Sequence, residues 1–158
     1  PLELNFRNSR PDIQTAAVRI AEDLKVNLGV TVKVSAMDWT AYLEKRNRKE
    51  LQLFHMRWGA DYLDPQNFLS TLLATNGPEN KTGYSNPAVD ALCAQADKMP
   101  NGPARWELYA KAEDMILQDA PWFPLYFQRD AELIRSRVKG LRESAFGHLP
   151  HVTVKIED

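Results

Sequence analysis

Hydrophobic and polar residues alternate at the start of the chain and then repeat at helical spacing. The alternation over 2–6 predicts a strand. The next apolar residues recur at steps of three, four and seven: Ile13, Ala16, Ala17, Ile20, Leu24 and Leu28. This spacing predicts an amphipathic helix that ends at Gly29. A second alternating run over 30–36 predicts another strand, parallel to the first, because strand, helix and strand with short connections form a βαβ unit.

The pattern continues with a second helix and a third strand. The helix begins at 38–40 and ends in the basic run 45–49, which we interpret as a solvated helix end. The short apolar run 51–56 has the length of one buried strand. This order predicts an α/β fold, with a mostly parallel sheet flanked by helices, as in half of a doubly wound domain.

The second half is more helical. Short and long helices are predicted over 67–73, 87–99 and 104–119. The last of them carries an apolar stripe expected to face inward: Trp106, Tyr109, Ala110, Ile116 and Leu117. The apolar run 122–127 is predicted to be extended. Pro121 precedes it and Pro124 lies within it, which indicates an edge position or a crossing segment. Further short extended pieces are expected at 133–134, 138–140 and 151–156.

The third strand leads into a loop with candidate binding chemistry. After the strand, the chain breaks at Trp58 and Gly59 into a small loop that carries Asp61 and Tyr62. Asp64 stands directly before Pro65, the pattern of an N-cap and a first helical residue. Open α/β sheets bind ligands at such strand ends, so a carboxylate beside an aromatic ring suggests a cationic, partly apolar ligand. The alternative is that Asp64 caps, Trp58 packs in the core and Asp61 is solvated.

Composition narrows the class of protein. The 158 residues are 44% hydrophobic and 26% charged, with a net charge of −1, as in a globular domain without a nucleic-acid-binding surface. No transmembrane run or signal peptide is recognised, and a start at proline suggests a processed protein or a piece of a longer one. The single Cys93 excludes an internal disulfide and reads as a small core residue.

Catalytic and metal-binding patterns are weak. His148 and His151 are three residues apart, but Leu149-Pro150 between them opposes a helix, so no metal site is predicted. Asp61 and Asp64 could form an acid/base pair, which leaves a hydrolase as the enzymatic alternative.

Residues 58–69, WGADYLDPQNFL, resemble the signature loop of the oligopeptide- and dipeptide-binding family of ABC-transporter substrate-binding proteins, solute-binding family 5. Other segments resemble the family in the same order: 29–32, 39–43, 83–92, 119–126 and 138–140. The tail 146–156 is similar to a family C-terminus.

The resemblance implies a type II periplasmic-binding-protein-like lobe. Family members are two-lobed and close over a ligand, so residues 1–158 are expected to form a single domain, the C-terminal lobe. Asp61 is then expected to pair with the α-ammonium of a peptide, and Trp58 to line the cleft. Gly59, Ala60 and Tyr62 complete the expected binding loop, and Arg57 is a candidate second contact.

The resemblance also implies partners and location. The expected partners are a peptide, the ABC permease subunits in the membrane and the N-terminal lobe of the same protein, without nucleic acid, cofactor, metal or catalysis. The expected location is the periplasm or an extracytoplasmic lipoprotein anchor. Two alternatives remain beside the hydrolase: a non-peptide ligand such as a nickel complex, haem, a sugar or an opine-like compound, and a stand-alone interaction or sensor domain.

Overall fold

Contacts within the chain group its residues into two compact units. A computed structural model describes residues 2–129, 131–142 and 151–157. Unit 1 comprises Pro1–Trp58 and Thr71–Pro87, and unit 2 comprises Gly59–Ser70 and Ala88–Asp158.

Unit 1 is built on a three-stranded parallel sheet. Its elements follow in the predicted order: β1 (Leu2–Arg7), α1 (Pro11–Leu28), β2 (Val32–Met37), α2 (Trp39–Asn47) and β3 (Leu53–Phe54). The strand order is β2-β1-β3, and β1 pairs in parallel with both neighbours. The predicted α/β class with a parallel sheet is confirmed.

The alternation in β1 and the helical stripe of α1 meet in one apolar core. The buried cluster consists of Leu4, Phe6, Ile13, Ala17 and Val32. Full burial of a large aliphatic or aromatic side chain contributes about 1.5–3 kcal/mol, so this layer is what joins α1 to the sheet. Gly29 ends α1 at φ 67°, a left-handed conformation that glycine adopts without steric cost, as predicted.

β3 is shorter than the predicted strand 51–56. Only Leu53 and Phe54 pair with β1 in register, opposite Leu4 and Asn5. The backbone N–H of His55 still donates to the Asn5 carbonyl at 2.9 Å, after which the chain leaves the sheet.

The remaining elements are mainly helical. They are a 3-10 turn (Pro65–Asn67), α3 (Leu69–Leu73), α4 (Pro87–Ala96), α5 (Pro103–Asp119), β4 (Val138–Lys139), a second 3-10 turn (His151–Thr153) and β5 (Lys155–Ile156). β4 and β5 form an antiparallel ribbon. Gly140 in this ribbon has φ 72°, and a Cβ there would lie 2.1 Å from the Thr153 carbonyl oxygen, so only glycine fits.

The predicted inward stripe of α5 is partly wrong. Tyr109 and Ile116 are buried, but Trp106 and Leu117 are 54% and 56% exposed, and Ala110 is exposed too. The buried face of α5 instead consists of Arg105, Tyr109, Ala112 and Ile116. Hydropathy placed the face wrongly because it ranks an arginine as a surface residue.

The extended segments near the end of the chain contain little regular strand structure, which for 122–127 agrees with a crossing segment. Residues 122–127 and 133–134 form no strand, and the Phe127 side chain is fully exposed. Within 151–156 only Lys155–Ile156 is a strand, because His151–Thr153 curls into a 3-10 turn. His148 and residues 146–150 of the predicted tail lie outside the described residues.

The basic run 45–49 is not a purely solvated helix end. The Arg46 side chain is only 7% exposed and forms an ion pair with Glu79 at 3.3 Å inside unit 1. Its Nε has no hydrogen-bond partner among the described residues. The solvated-face interpretation is therefore wrong for this arginine.

Candidate functional site

Residues Gly59–Asp64 of the predicted loop Trp58–Asp64 belong to unit 2 and have no regular secondary structure. Asp61 is exposed, Tyr62 is 43% exposed and Ala60 is half-buried. Trp58, the residue before the loop, is the last residue of the first segment of unit 1 and is half-buried. The structure therefore gathers Gly59 to Tyr62 in one exposed loop of unit 2.

Asp61 is held in place by the side chain of Asn67. The Asp61 backbone N–H donates to Asn67 Oδ1 at 3.1 Å, and Asn67 Nδ2 donates to Asp61 Oδ2 at 3.3 Å. Asn67 is only 2% exposed, so its amide is a fixed support and not a mobile surface group. No ion pair to Asp61 is found within residues 2–129, 131–142 and 151–157.

Asp64 caps the turn that follows, as predicted. Its Oδ1 accepts from the Gln66 backbone N–H at 2.9 Å, and Pro65 is the first residue of the 3-10 turn. The backbone of Asp64 also holds Asn67, because the Asn67 N–H donates to the Asp64 carbonyl at 3.1 Å. Sequence therefore identified the residue that begins this turn.

Asp64 has a second role that the sequence did not reveal. Arg105 of α5 donates from Nη1 to Asp64 Oδ2 at 2.7 Å and from Nη2 to Asp64 Oδ1 at 2.8 Å. This two-point geometry is the strong form of an ion pair. The hydrogen bonds from Arg105 lower the pKa of Asp64, and the Asp64 carboxylate raises the pKa of Arg105.

The guanidinium of Arg105 uses all of its donors. Besides the two bonds to Asp64, it donates to the Ala96 carbonyl at 3.0 Å, to Asn101 Oδ1 at 2.9 Å and to the Tyr109 hydroxyl at 3.1 Å. A guanidinium has five N–H groups, so burial at 7% exposure leaves none unsatisfied. The binding loop is thereby tied to α5 within unit 2.

The network continues to the end of α4. The Tyr109 hydroxyl donates to Asp97 Oδ1 at 2.5 Å, and the Ser70 hydroxyl donates to the same oxygen at 2.9 Å. Burial, followed by the bond to Asp97, raises the pKa of Tyr109. These contacts make the support of the loop a connected set of polar groups.

Tyr62 is anchored locally. Its hydroxyl donates to the side-chain oxygen of Gln66, and its ring stays on the surface. The ring is thus available to a ligand while its polar end is already bonded.

The same polar contacts argue against an Asp61/Asp64 acid/base pair. Both Asp64 oxygens accept bonds from Arg105, which holds the carboxylate ionised and occupied. Among the residues described, no three His, Cys, Asp or Glu side chains are placed to hold a metal.

Unit 1 has its own cluster of aromatic and basic side chains near the carboxyl ends of the strands. The Arg7 guanidinium lies 4.6 Å from the centre of the Trp39 ring, which stacks on Tyr42. Tyr42 is fully buried, and its hydroxyl donates to the His55 carbonyl at 2.7 Å. Burial, followed by the charge of Arg10, lowers the pKa of half-buried His55. This cluster fixes the backbone just before the binding loop.

Sequence reasoning missed the residues that support the loop. Asn67 carries a weak signal, because it follows the capping Asp64 by three residues, where a polar side chain can reach back. Arg105 carries a sequence signal only in combination with Tyr109, four residues later on the same helical face.

None of the helices in the described ranges is both long and apolar enough to cross a membrane.

Comparison with known proteins identifies the family. The model of bacterial extracellular solute-binding proteins, family 5 (middle region) matches residues 1–80 of the 158. The periplasmic oligopeptide-binding protein OppA of Salmonella typhimurium is 33% identical over 141 residues, covering 89% of this chain and 26% of that protein. Heme-binding protein A of Haemophilus influenzae is 31% identical over 145 residues, covering 90% and 26%.

Structure comparison gives the same result for the fold. The solved structure of Burkholderia pseudomallei OppA matches with a TM-score of 0.88 at 25% identity, over 99% of this chain and 31% of that one. Such neighbours are type II periplasmic binding proteins, which confirms the predicted fold type. The chain spans about a quarter of the length of the curated relatives it matches.

Family 5 consists of solute-binding proteins and not of enzymes. Both this family assignment and the bonds from Arg105 to the two Asp64 oxygens argue against the hydrolase alternative. The chain belongs to the bacterial extracellular solute-binding proteins of family 5.

Proposed function

We propose that this chain is the C-terminal ligand-binding lobe of an ABC importer's substrate-binding protein that captures peptides. In this proposal Asp61 pairs with the α-ammonium of the bound peptide. The observation that carries it is an exposed carboxylate held by buried Asn67 and without an ion pair among the described residues. Such a group is preorganised for a cationic ligand, because its own orientation is fixed before binding.

The strength of the contact follows from charge. A hydrogen bond to a charged group contributes about 1.5–3 kcal/mol, which corresponds to roughly 10- to 150-fold in affinity. Tyr62 adds an exposed ring next to Asp61, on which the apolar part of a peptide can pack. The proposed site therefore recognises the amino terminus of a peptide.

The rest of the affinity is assigned to a second lobe. Relatives are about four times as long as the matched segment, since it covers 26% of their length. We assign the N-terminal lobe of the same protein as the other wall of the cleft, with closure of the two lobes burying the ligand. On this proposal the protein works outside the cytoplasmic membrane, in the periplasm or on a lipid anchor, and delivers the peptide to ABC permease subunits.

A non-peptide ligand is the second candidate. Its support is that heme-binding protein A matches this chain at 31% identity, close to the 33% of the oligopeptide-binding relative. Overall identity therefore does not discriminate between the two ligand classes. The feature that favours a peptide is the Asp61 carboxylate, which has no ion pair among the described residues and suits a free amine.

The test uses the longer protein that contains this chain. Alanine peptides of two to five residues and their N-acetylated counterparts are titrated calorimetrically against wild type and Asp61→Asn. We expect Asp61→Asn, which keeps the shape of the side chain, to weaken free-amine peptides at least about tenfold and acetylated ones less than about twofold. Asp114→Asn, on an exposed position of α5, is the matched control and leaves both affinities unchanged.

Two results contradict the proposal. Equal losses for free and acetylated peptides make Asp61 a structural residue. Binding of heme, and of none of the peptides, selects the second candidate. We also expect the isolated 158-residue chain to bind these peptides weakly or undetectably, because one wall of the cleft is missing, and micromolar affinity of that chain contradicts the two-lobe arrangement.

A further inference from the structure

Asp61 stands on an irregular loop, where a carboxylate would ordinarily sample many orientations. Ordering such a side chain and the loop backbone around it on binding reduces the affinity. The loop Gly59–Asp64 forms no helix or strand that could supply this order. Something else must therefore hold Asp61 if it is to act as an anchor.

Asn67 has the chemistry and the position to do so. Its Oδ1 accepts from the Asp61 N–H at 3.1 Å, and its Nδ2 donates to Asp61 Oδ2 at 3.3 Å. A side-chain amide carries its acceptor and its donor on separate atoms, so it can accept from a backbone N–H and donate to a carboxylate at once. An aspartate in place of Asn67 loses the donor, and an alanine loses both groups.

The position of Asn67 is in turn fixed by two contacts from outside the loop tip. Asp64 caps the Pro65–Asn67 turn through the Gln66 N–H, and Arg105 grips both Asp64 oxygens at 2.7 and 2.8 Å. Since Arg105 is buried on α5 with every donor bonded, the turn is fastened to a helix and not to another loop.

We propose that Asn67 is the positioning residue of the Asp61 carboxylate, and that the Asp64–Arg105 pair holds the turn from which Asn67 acts. This inference rests on the proposed function, because it explains how the amine anchor is preorganised. Asn67 does not touch the ligand in this arrangement. Its bond to the carboxylate uses Asp61 Oδ2, which leaves Oδ1 to pair with an ammonium group.

The test compares two buried asparagines in the longer protein. Asn80 is the matched control: it is 3% exposed, and Nδ2 donates to the carbonyls of Ala74 at 2.9 Å and Tyr84 at 2.8 Å, all within unit 1. Its Oδ1 accepts from the Gly83 N–H at 3.1 Å. Asn80→Ala therefore removes a comparable set of bonds without touching the Gly59–Asp64 loop.

Binding of tetra-alanine and N-acetyl-tetra-alanine gives the first readout. We expect Asn67→Ala to weaken the free peptide roughly 5- to 50-fold, the loss of two hydrogen bonds, and the acetylated peptide less than about twofold. Asn80→Ala is expected to change both peptides by the same factor. Asn67→Ser, whose side chain is too short to replace both amide atoms, serves if Asn67→Ala does not fold.

Hydrogen exchange at the Asp61 amide gives the second readout, which needs no ligand. We expect protection of this amide in wild type and in Asn80→Ala, and its loss in Asn67→Ala and Asn67→Ser. Unchanged protection in both Asn67 variants, or equal losses for the two peptides, overturns the inference. If wild type binds neither peptide, the proposed function fails on its own, and the exchange result still decides whether Asn67 holds Asp61.

Discussion

Arg105 and Asp64, 41 residues apart in the chain, are joined by two parallel hydrogen bonds of 2.7 and 2.8 Å. The arginine side chain is 7% exposed and the aspartate side chain 20%. The pair therefore lies where water screens it little, unlike an ion pair on the surface. It joins the candidate binding loop to α5 of unit 2.

Removal of Arg105 is expected to destabilise the protein strongly. Arg105→Ala leaves Asp64 without its partner, and breaking a buried pair from one side costs about 3–5 kcal/mol. Arg105→Lys keeps the charge but not the two-point geometry and should fall between this variant and wild type. Urea unfolding followed by tryptophan fluorescence measures the loss.

The control for this prediction is an exposed ion pair. Arg19 and Asp23 on α1 are 72% and 49% exposed, so Arg19→Ala should cost less than about 1 kcal/mol. If Arg105→Ala and Arg19→Ala have the same small effect, the Asp64–Arg105 pair contributes no more than a surface contact.

Stability should depend on pH through Asp64. Its pKa is lowered in the folded protein by the bonds from Arg105, below the unfolded value of about 3.9. The stabilisation is therefore present above pH 3.9 and is lost as the pH falls through the lowered pKa. We expect the difference in unfolding free energy between wild type and Asp64→Asn to be constant near neutrality and to shrink in acid. A difference that stays constant down to pH 2 contradicts the assignment.

Tyr42 should be sensitive to loss of its hydroxyl. It is fully buried and donates to the His55 carbonyl at 2.7 Å, and burial raises its pKa to about 12. Tyr42→Phe leaves that carbonyl without this donor and should cost about 1–3 kcal/mol in urea unfolding. Tyr62→Phe, at a ring that is 43% exposed, should stay within about 0.5 kcal/mol of wild type. Similar effects of the two substitutions would show that the Tyr42 bond is replaced by water.

Cys93 should be inert to thiol reagents in the folded state. It is 2% exposed, and burial raises the pKa of its thiol, so both access and the reactive thiolate are reduced. We expect iodoacetamide at pH 8 to modify it only in denaturant, as read by peptide mass spectrometry. Rapid modification of the native protein would mean that α4 opens locally.

The βαβ start of the chain was predictable because its two periodicities agree with its packing. The alternation of Leu4 and Phe6 and the spacing of Ile13 and Ala17 all come together in one core. The extent of β3 was not predictable, because its pairing depends on where the chain leaves β1 after His55 and not on its own apolar residues.

The candidate binding loop was predictable in its local structure and not in the contacts that support it. Asp64 followed by Pro65 has a recognisable local pattern, and the structure confirms the cap. Arg105 was hidden, because a buried arginine makes sense only when partners far away in sequence are known. Its presence also explains why Trp106, one residue along the helix, faces outward instead of inward. Whether Asp61 binds an amine stays a prediction.

In the strand order β2-β1-β3, the central strand should tolerate fewer substitutions than the two flanking strands. Every backbone pairing in this sheet includes β1, so a shifted register there breaks both ladders together. The same change in β2 or β3 breaks one ladder and leaves the other intact. Variation among natural versions of this chain should therefore be lowest within Leu2–Arg7 and should increase toward the two flanking strands.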